Sequence, residues 1–336
     1  MKGVNIKRIF PIDLLKSIAI ILVIIDHSYD YKNNALHIFI FKMAVPIFMI
    51  ISGITLSKSC INKSVRETYI KYIKYFIRYS IPMFFTILLY LIFQICTSNY
   101  QGFSLYIKTI LLGNYGLGAY YYALLVGLLL LFPFIYRIVS KNNGLVILFI
   151  INIAYDIFAH LTMSTPIYRI LLFRYLMFIG FGIYLFNHEG RNIKLCWLVS
   201  MFCVGFVYLI IYKIYYNHGL FTHFYPWENT SVFSSFYVFP IFYLIYKHIK
   251  QTKMKRLNKT IEIISKSTYH IFYAQMIFFW VSTHHIYKII TIPIVIQILC
   301  NIIICVIGGI AWYYIENIVR NKSCIMEYDM PLIRYG

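Results

Sequence analysis

The stretch PIDLLKSIAIILVIIDHSYD, residues 11–30, decides the fold, because it is apolar yet contains five ionisable side chains: Asp13, Lys16, Asp26, His27 and Asp30. An α-helix rises 1.5 Å per residue, so about 20 apolar residues cross the hydrocarbon core of a bilayer. Ionisable groups inside such a helix are costly and generally serve a function. The stretch therefore predicts a membrane helix that carries chemistry.

The composition of the whole chain supports this interpretation. Of its 336 residues, 61% are hydrophobic and 12% are charged, and the mean hydropathy is +0.72. A soluble domain contains about a quarter charged residues. No polar stretch is long enough to build a core of its own. We therefore expect an all-α polytopic membrane protein with a single domain over residues 1–336 and no appended soluble domain.

Hydropathy predicts about ten transmembrane helices. Asn152 and Asp156 interrupt the fifth, which is the weakest of them. The approximate limits of the ten are 9–28, 36–56, 76–97, 117–139, 143–160, 168–187, 195–216, 231–249, 267–284 and 290–317.

The distribution of Lys and Arg predicts the orientation. These residues are concentrated in segments 57–78 and 247–266, whereas segment 217–230 contains neither. The positive-inside rule places the basic segments and both termini in the cytoplasm. The net charge of +20 is explained by this topology, so no nucleic-acid partner is expected. The aromatic, His-containing segment 217–231 fits either a contact with a carbohydrate or lipid headgroup or an interfacial aromatic belt.

The N-terminus and the cysteines exclude two other classes of protein. Lys2, Lys7 and Arg8 precede an apolar run as in a signal peptide, but no small-residue cleavage site follows. We therefore expect a retained first span in the cytoplasmic membrane. The seven cysteines are scattered without a C-x-x-C pair, so neither a metal site nor a disulfide framework is expected.

One face of the first helix carries a polar stripe. Spacings of 3, 4, 3 and 4 residues align Asp13, Lys16, Ile20, Val23 and His27. Asp13 and His27 are then roughly 21 Å apart along the axis. Asp13 and Lys16 are close enough to pair near the cytoplasmic boundary.

His27 lies towards the opposite boundary. Asp30, one turn further on, would orient its imidazole and stabilise the cation, whereas Asp26 points about 100° away and is the weaker partner. Spacing alone leaves two interpretations open: a functional histidine, or one that only satisfies a polar contact at a helix end.

The stretch IDLLKSIAIILVIIDHS resembles the opening motif of the membrane acyltransferase 3 family, D-x-L-R-x-x-A followed by V-x-x-x-H. Lys16 stands where the family usually has Arg. The positions that match are Asp13, Leu15, Lys16, Ala19, Val23 and His27.

Further motifs follow in the family's order along nearly the whole chain. VPIFMIISGITL (Val45–Leu56) resembles the second-span motif, and KYFIRYSIP (Lys74–Pro82) resembles the basic segment that opens the third span. ISKSTYHIFYAQM and WYYIENI are similar to the closing blocks, with Gln275 and Asn317 where His and Pro are common. Each motif alone is weak, but the ordered set is fairly specific.

The resemblance implies transfer of an acetyl group from cytoplasmic acetyl-CoA to a hydroxyl of an extracytoplasmic glycan or lipid-linked saccharide. Cations near the cytoplasmic face would bind the donor's phosphates, unless they only fix the topology. The candidates for this role are Lys16, Lys74, Arg78 and Arg137. His27 would act as a general base or as a nucleophile that becomes acetylated, with Asp30 as its orienting partner.

Two further positions have structural alternatives. Ser52 would line the cavity, or, with Gly53, it would let two helices approach closely. Glu316 matches a family position and has either a direct role or one in helix packing and charge pairing.

Other functions also fit the hydropathy. A polysaccharide exporter shares the long spans and the aromatic outer segment, although no duplicated half is evident. A succinyl donor, or a membrane module that serves a partner enzyme of glycan biosynthesis, would retain the fold. The sequence does not distinguish among polysaccharide, teichoic acid, peptidoglycan and lipid-linked acceptors.

Overall fold

A computed structural model describes residues 9–28, 35–162, 165–217, 231–282 and 293–322. The described residues form helices and turns, with no β-strand among them, which confirms the all-α class. Asp30 and most of the aromatic segment 217–231 lie outside these ranges, so the predictions about them stay predictions. The α-helices are α1 (Phe10–Ser28), α2 (Ala35–Phe39), α3 (Ala44–Cys60), α4 (Val65–Cys96), α5 (Phe103–Leu111), α6 (Tyr120–Val139), α7 (Gly144–Thr162), α8 (Thr165–Ile170), α9 (Leu176–Asn187), α10 (Leu195–Asn217), α11 (Val232–His248), α12 (Lys255–Val281) and α13 (Ile294–Lys322).

Five segments are long and apolar enough to cross a membrane. Two shorter apolar segments, Gly144–Ala159 and Leu172–Asn187, accompany them. The α1 helix is not among the five, since Asp13, Lys16 and Asp26 interrupt its apolar surface. The structure thus supports a multi-pass membrane protein, while the number of ten spans and the orientation stay predictions. The five segments are Leu36–Cys60, Val65–Cys96, Tyr120–Val139, Leu195–Tyr212 and Ile294–Arg320.

The basic segments are more helical than the hydropathy pattern indicated. α4 begins at Val65, eleven residues before the predicted third span, and α12 begins at Lys255, twelve residues before the ninth. Ser64 and Glu67 form a capping box that fixes the start of α4: the Glu67 N–H donates to the Ser64 hydroxyl, and the Ser64 N–H donates to the Glu67 carboxylate. Lys and Arg are good helix formers, so charge lowers the hydropathy without ending the helix.

The polar residues of α7 lie inside the protein. Asn152 and Asp156 are both fully buried, and the Met177 N–H donates to Asn152 Oδ1 at 3.3 Å. The helix is continuous through both positions. Their polarity reduced the hydropathy of the predicted fifth span because hydropathy does not record which face of a helix is buried.

The chain divides into two compact units. The first, here called the terminal unit, is Met1–Tyr29 with Leu244–Gly336, and the second, here called the central unit, is Asp30–Tyr243. In the terminal unit, α1, α12 and α13 pack on one another. In the central unit, the closest pairing is between α3 and α9.

Glycines set the closest helix approaches. In the central unit, a Cβ on Gly53 would lie 2.9 Å from the Gly182 Cα and closer still to the Ile179 carbonyl oxygen. This agrees with the expectation that the Ser52–Gly53 pair permits close helix packing. In the terminal unit, a Cβ on Gly309 of α13 would lie 2.5 Å from the Ile271 backbone nitrogen of α12.

Adjacent glycines on α13 provide a matched test of this packing. We expect Gly309→Ala to lower the free energy of unfolding by about 1–3 kcal/mol, because the α12 backbone must move away. Gly308→Ala is the control, since its Cβ would lie 3.9 Å from the Ala274 Cβ, an ordinary contact. Thermal unfolding in detergent measures both variants, and equal melting temperatures for the two would contradict the account.

Candidate functional site

The polar stripe of α1 is only partly shielded from solvent. Asp13, Ile20 and Val23 are buried, and Lys16 and His27 are half-buried. A stripe directed at lipid would leave these side chains exposed. The α1 helix itself packs against α12 and α13.

Hydrogen bonds hold the first turns of α1 against α12. The Ser265 hydroxyl donates to Asp13 Oδ1 at 2.6 Å, and both side chains are buried. The Ser17 hydroxyl lies 3.1 Å from the Ile261 carbonyl oxygen, also on α12. A buried carboxylate needs such donors, so Asp13 fixes the rotation of α1 about its axis. The predicted pairing of Asp13 with Lys16 stays a prediction.

A second contact fixes the far end of α1, next to His27. The Asn301 side-chain amide of α13 donates to the Ser28 hydroxyl at 3.0 Å, and that hydroxyl donates to the Ile24 carbonyl oxygen at 2.6 Å. Asn301 is fully buried. The residue that follows His27 is thus tied to α13. Such support is what a catalytic side chain needs to keep a constant position.

A buried histidine–carboxylate pair joins α12 and α13. His270 Nε2 lies 2.8 Å from Glu316 Oε2, and the two side chains are 6% and 16% exposed. The rings of Trp312 and Tyr313 meet the His270 ring nearly edge-on, at 6.0 and 5.4 Å between centroids. Glu316 thus has a hydrogen-bonded partner on α12, while the choice between a direct role and one in helix packing or charge pairing stays a prediction.

Sequence reasoning missed His270. It lies within the block ISKSTYHIFYAQM, and its partner is 46 residues away on another helix. The available signal was two ionisable residues, His270 and Glu316, at similar depth in two consecutive predicted spans, the first crossing outward and the second inward. Periodicity within one helix does not reveal such a pairing.

Lys74 and Arg78 lie one turn apart on α4, in the central unit, and both are half-buried. Among the described residues, Arg78 donates no hydrogen bond and forms no ion pair. Its guanidinium is thus free to bind an anion such as a phosphate. No described cluster of three His, Cys, Asp or Glu side chains could hold a metal ion.

Arg137 does not join this pair of cations. α4 and α6 are antiparallel neighbours, since Tyr69 contacts the Leu130 carbonyl oxygen at 2.6 Å and Ser80 contacts Tyr122 at 2.7 Å. Counting outward from the Tyr69–Leu130 contact, Arg78 and Arg137 are separated by roughly 24 Å along the helix axes. Arg137 is exposed in the last turn of α6. One phosphate group cannot contact both arginines.

The buried pair gives a testable energetic contrast on α12. We expect a double-mutant cycle of His270→Ala and Glu316→Ala to give a coupling energy of about 1–3 kcal/mol, because each single variant leaves its partner unpaired in the interior. Glu262 and Lys266 are the control: their 2.6 Å pair is 39% exposed on each side chain, and about 0.5 kcal/mol is expected. Thermal unfolding measures both cycles. Similar coupling energies in the two cycles would show that burial does not strengthen the interaction of His270 with Glu316.

The comparisons with known proteins agree with the motif order. The family model of the acyltransferase domain of the acyltransferase 3 family matches residues 10–314. A search of curated proteins and a search of solved structures each find no match. The family match begins at the first residue of α1 and extends into the last third of α13, so it includes both His27 and Arg78. The chain therefore belongs to the acyltransferase 3 family.

Proposed function

We propose that the chain is a membrane-embedded O-acyltransferase of the cytoplasmic membrane. It moves an acetyl group from cytoplasmic acetyl-CoA to a hydroxyl of an extracytoplasmic or lipid-linked glycan. The observation that carries the proposal is a half-buried histidine at the far end of α1 in a chain of the acyltransferase 3 family. Proteins of glycan biosynthesis are the partners that would supply the acceptor.

His27 is the catalytic base in this proposal. Imidazole titrates near neutral pH, so it can accept the proton of the acceptor hydroxyl as the oxygen attacks the thioester carbonyl carbon. The carbon–sulfur bond then breaks, and the CoA thiolate leaves and takes up the proton from the imidazolium. Asp30 would orient the imidazole during this exchange.

Nucleophilic catalysis is the alternative role of His27. Its ring nitrogen would take the acetyl group, release CoA and pass the acetyl group to the acceptor. Rapid quenching followed by mass spectrometry separates the two roles, because only the nucleophile carries an acetyl group on His27.

Lys74 and Arg78 bind the phosphates of the donor in this proposal. CoA is polyanionic, and a guanidinium can donate two parallel hydrogen bonds to one phosphate. The predicted orientation places these residues at the cytoplasmic boundary of the predicted third span, which lies towards the middle of α4. Lys16 is assigned to the same side of the membrane by its place in the second turn of α1. Arg137 is not assigned to the phosphate site because of its distance from Arg78.

The role of His27 predicts a large loss of turnover. We expect His27→Ala to lower kcat for acetyl transfer by about 10²–10⁴-fold, the usual contribution of a general base, with insertion and thermal stability retained. His188→Ala is the control, because His188 lies at the end of α9 and stacks on Tyr184. Transfer of labelled acetyl to extracted envelope glycans measures both variants, and full activity of His27→Ala would contradict the assignment.

The role of Arg78 predicts weaker donor binding. We expect Arg78→Ala to raise the KM for acetyl-CoA about 10–100-fold, since a hydrogen bond between charged groups is worth about 1.5–3 kcal/mol. Arg66→Ala is the matched control, because Arg66 is an exposed arginine three turns earlier on α4. An unchanged KM in Arg78→Ala, or an equal rise in both variants, would refute the phosphate role. Succinyl-CoA in a parallel assay tests the alternative donor.

A further inference from the structure

The central unit contains a buried arginine surrounded by tyrosines. Arg174 lies in the turn that precedes α9 and is 4% exposed. Its guanidinium carbon is 4.6 Å from the ring centroid of Tyr175, 5.2 Å from that of Tyr168 and 5.4 Å from that of Tyr120. We call these four residues the Arg174 cluster.

Among the residues that the structure describes, no side chain or carbonyl group accepts a hydrogen bond from the guanidinium. Arg174 donates no hydrogen bond to any residue in the described ranges and forms no ion pair with one, and its Nε is completely buried. A guanidinium has five N–H donors. Cation–π contacts contribute about 0.5–2 kcal/mol each, whereas an unpaired buried charge costs several kcal/mol. The rings therefore lower the free-energy cost of burying the guanidinium, but they do not replace an anion that would accept its hydrogen bonds.

The nearby buried carboxylate of Asp156 attracts the guanidinium but forms no hydrogen bond or ion pair with it. The Tyr168 hydroxyl donates to Asp156 Oδ1 at 3.3 Å, and the Val232 N–H donates to Asp156 Oδ2 at 3.2 Å. Asp156 is fully buried, and each of its oxygens accepts one of these hydrogen bonds, while its interaction with Arg174 is an electrostatic attraction without a hydrogen bond. Tyr168 thus contacts both charged groups, with its ring against Arg174 and its hydroxyl on Asp156. Tyr155 stacks on the Tyr168 ring at 5.8 Å and 10°, which holds that ring in place.

The elements that form the cluster place it on one side of the membrane. Tyr120 begins α6, Asp156 lies near the end of α7, and Val232 begins α11. In the predicted orientation these are all extracytoplasmic ends, as is the turn that contains Arg174. The acceptor glycan of the proposed reaction approaches from this side, whereas acetyl-CoA is cytoplasmic.

We propose that the Arg174 cluster is the subsite for an anionic group of the acceptor saccharide. The inference rests on the proposed function, because that function supplies the saccharide. Arg174 would form paired hydrogen bonds with a sugar carboxylate or a sugar phosphate. Tyrosine rings provide flat apolar surfaces for the C–H faces of a sugar.

Direct binding tests the subsite without acyl transfer. The purified full-length protein in detergent is titrated calorimetrically with glucuronate, glucose 1-phosphate and glucose, in the absence of any acyl-CoA. We expect at least one anionic sugar to bind and glucose not to bind. The comparison of the two anions distinguishes a carboxylate from a phosphate as the recognised group.

Substitution of Arg174 then locates the binding. We expect Arg174→Gln to weaken the binding of the anionic sugar at least about tenfold, which is the loss of one strong charged hydrogen bond. Arg169→Gln is the matched control, because Arg169 is an exposed arginine on α8. If Arg174→Gln does not fold, Arg174→Lys replaces it and is expected to weaken binding, because lysine lacks the planar fork.

Three outcomes would overturn the inference: no binding of either anion, equal binding of glucose, or unchanged affinity in the Arg174 variant that folds. The proposed function has a separate readout. A protein that binds an anionic sugar through Arg174 but transfers no acetyl group would contradict the proposed function alone. A protein that transfers acetyl with no Arg174-dependent binding would contradict this inference alone.

Discussion

The hydrogen bond from Ser265 to Asp13 is the interaction on which the account of α1 depends. A carboxylate in the first turn of an apolar helix is tolerated only where the protein supplies donors, and α12 supplies one at 2.6 Å. This contact holds the Asp13 side of α1 against α12. The same stripe carries Lys16 in the second turn and His27 in the last, so the proposed catalytic base is about 21 Å along the helix from this contact. Asn301, which donates to Ser28, fixes the other end.

Much of this arrangement was predictable from the sequence, because helix periodicity is a local property. The 3- and 4-residue spacings placed Asp13 and His27 on one face, and in the structure Asp13 is buried and His27 is half-buried. Apolar runs located most helices to within a few residues. The starts of α4 and α12 were placed too late because charged residues lower the hydropathy without breaking a helix, and the capping box at Ser64 was the signal that hydropathy ignored.

Contacts between distant helices were not predictable. The His270–Glu316 pair joins residues 46 positions apart, and the Ser265–Asp13 bond joins residues 252 apart. The contacts of Arg174 were likewise not predictable, because they join distant parts of the chain. Its significance arises from rings contributed by Tyr120 and Tyr168, whose positions depend on the packing of the central unit. A single sequence identifies the ionisable residues, but the fold determines which of them form pairs.

The central claim is that an acetyl group crosses from a cytoplasmic donor to an acceptor on the other side in a His27-dependent step. Proteoliposomes that contain the protein in one orientation test it most directly, with labelled acetyl-CoA on the face of Lys74 and Arg78 and extracted envelope glycans on the opposite face. The account predicts label on those glycans with the wild type, very little with His27→Ala, and very little when acetyl-CoA is moved to the glycan side. Equal labelling from either side, or with His27→Ala, would contradict it.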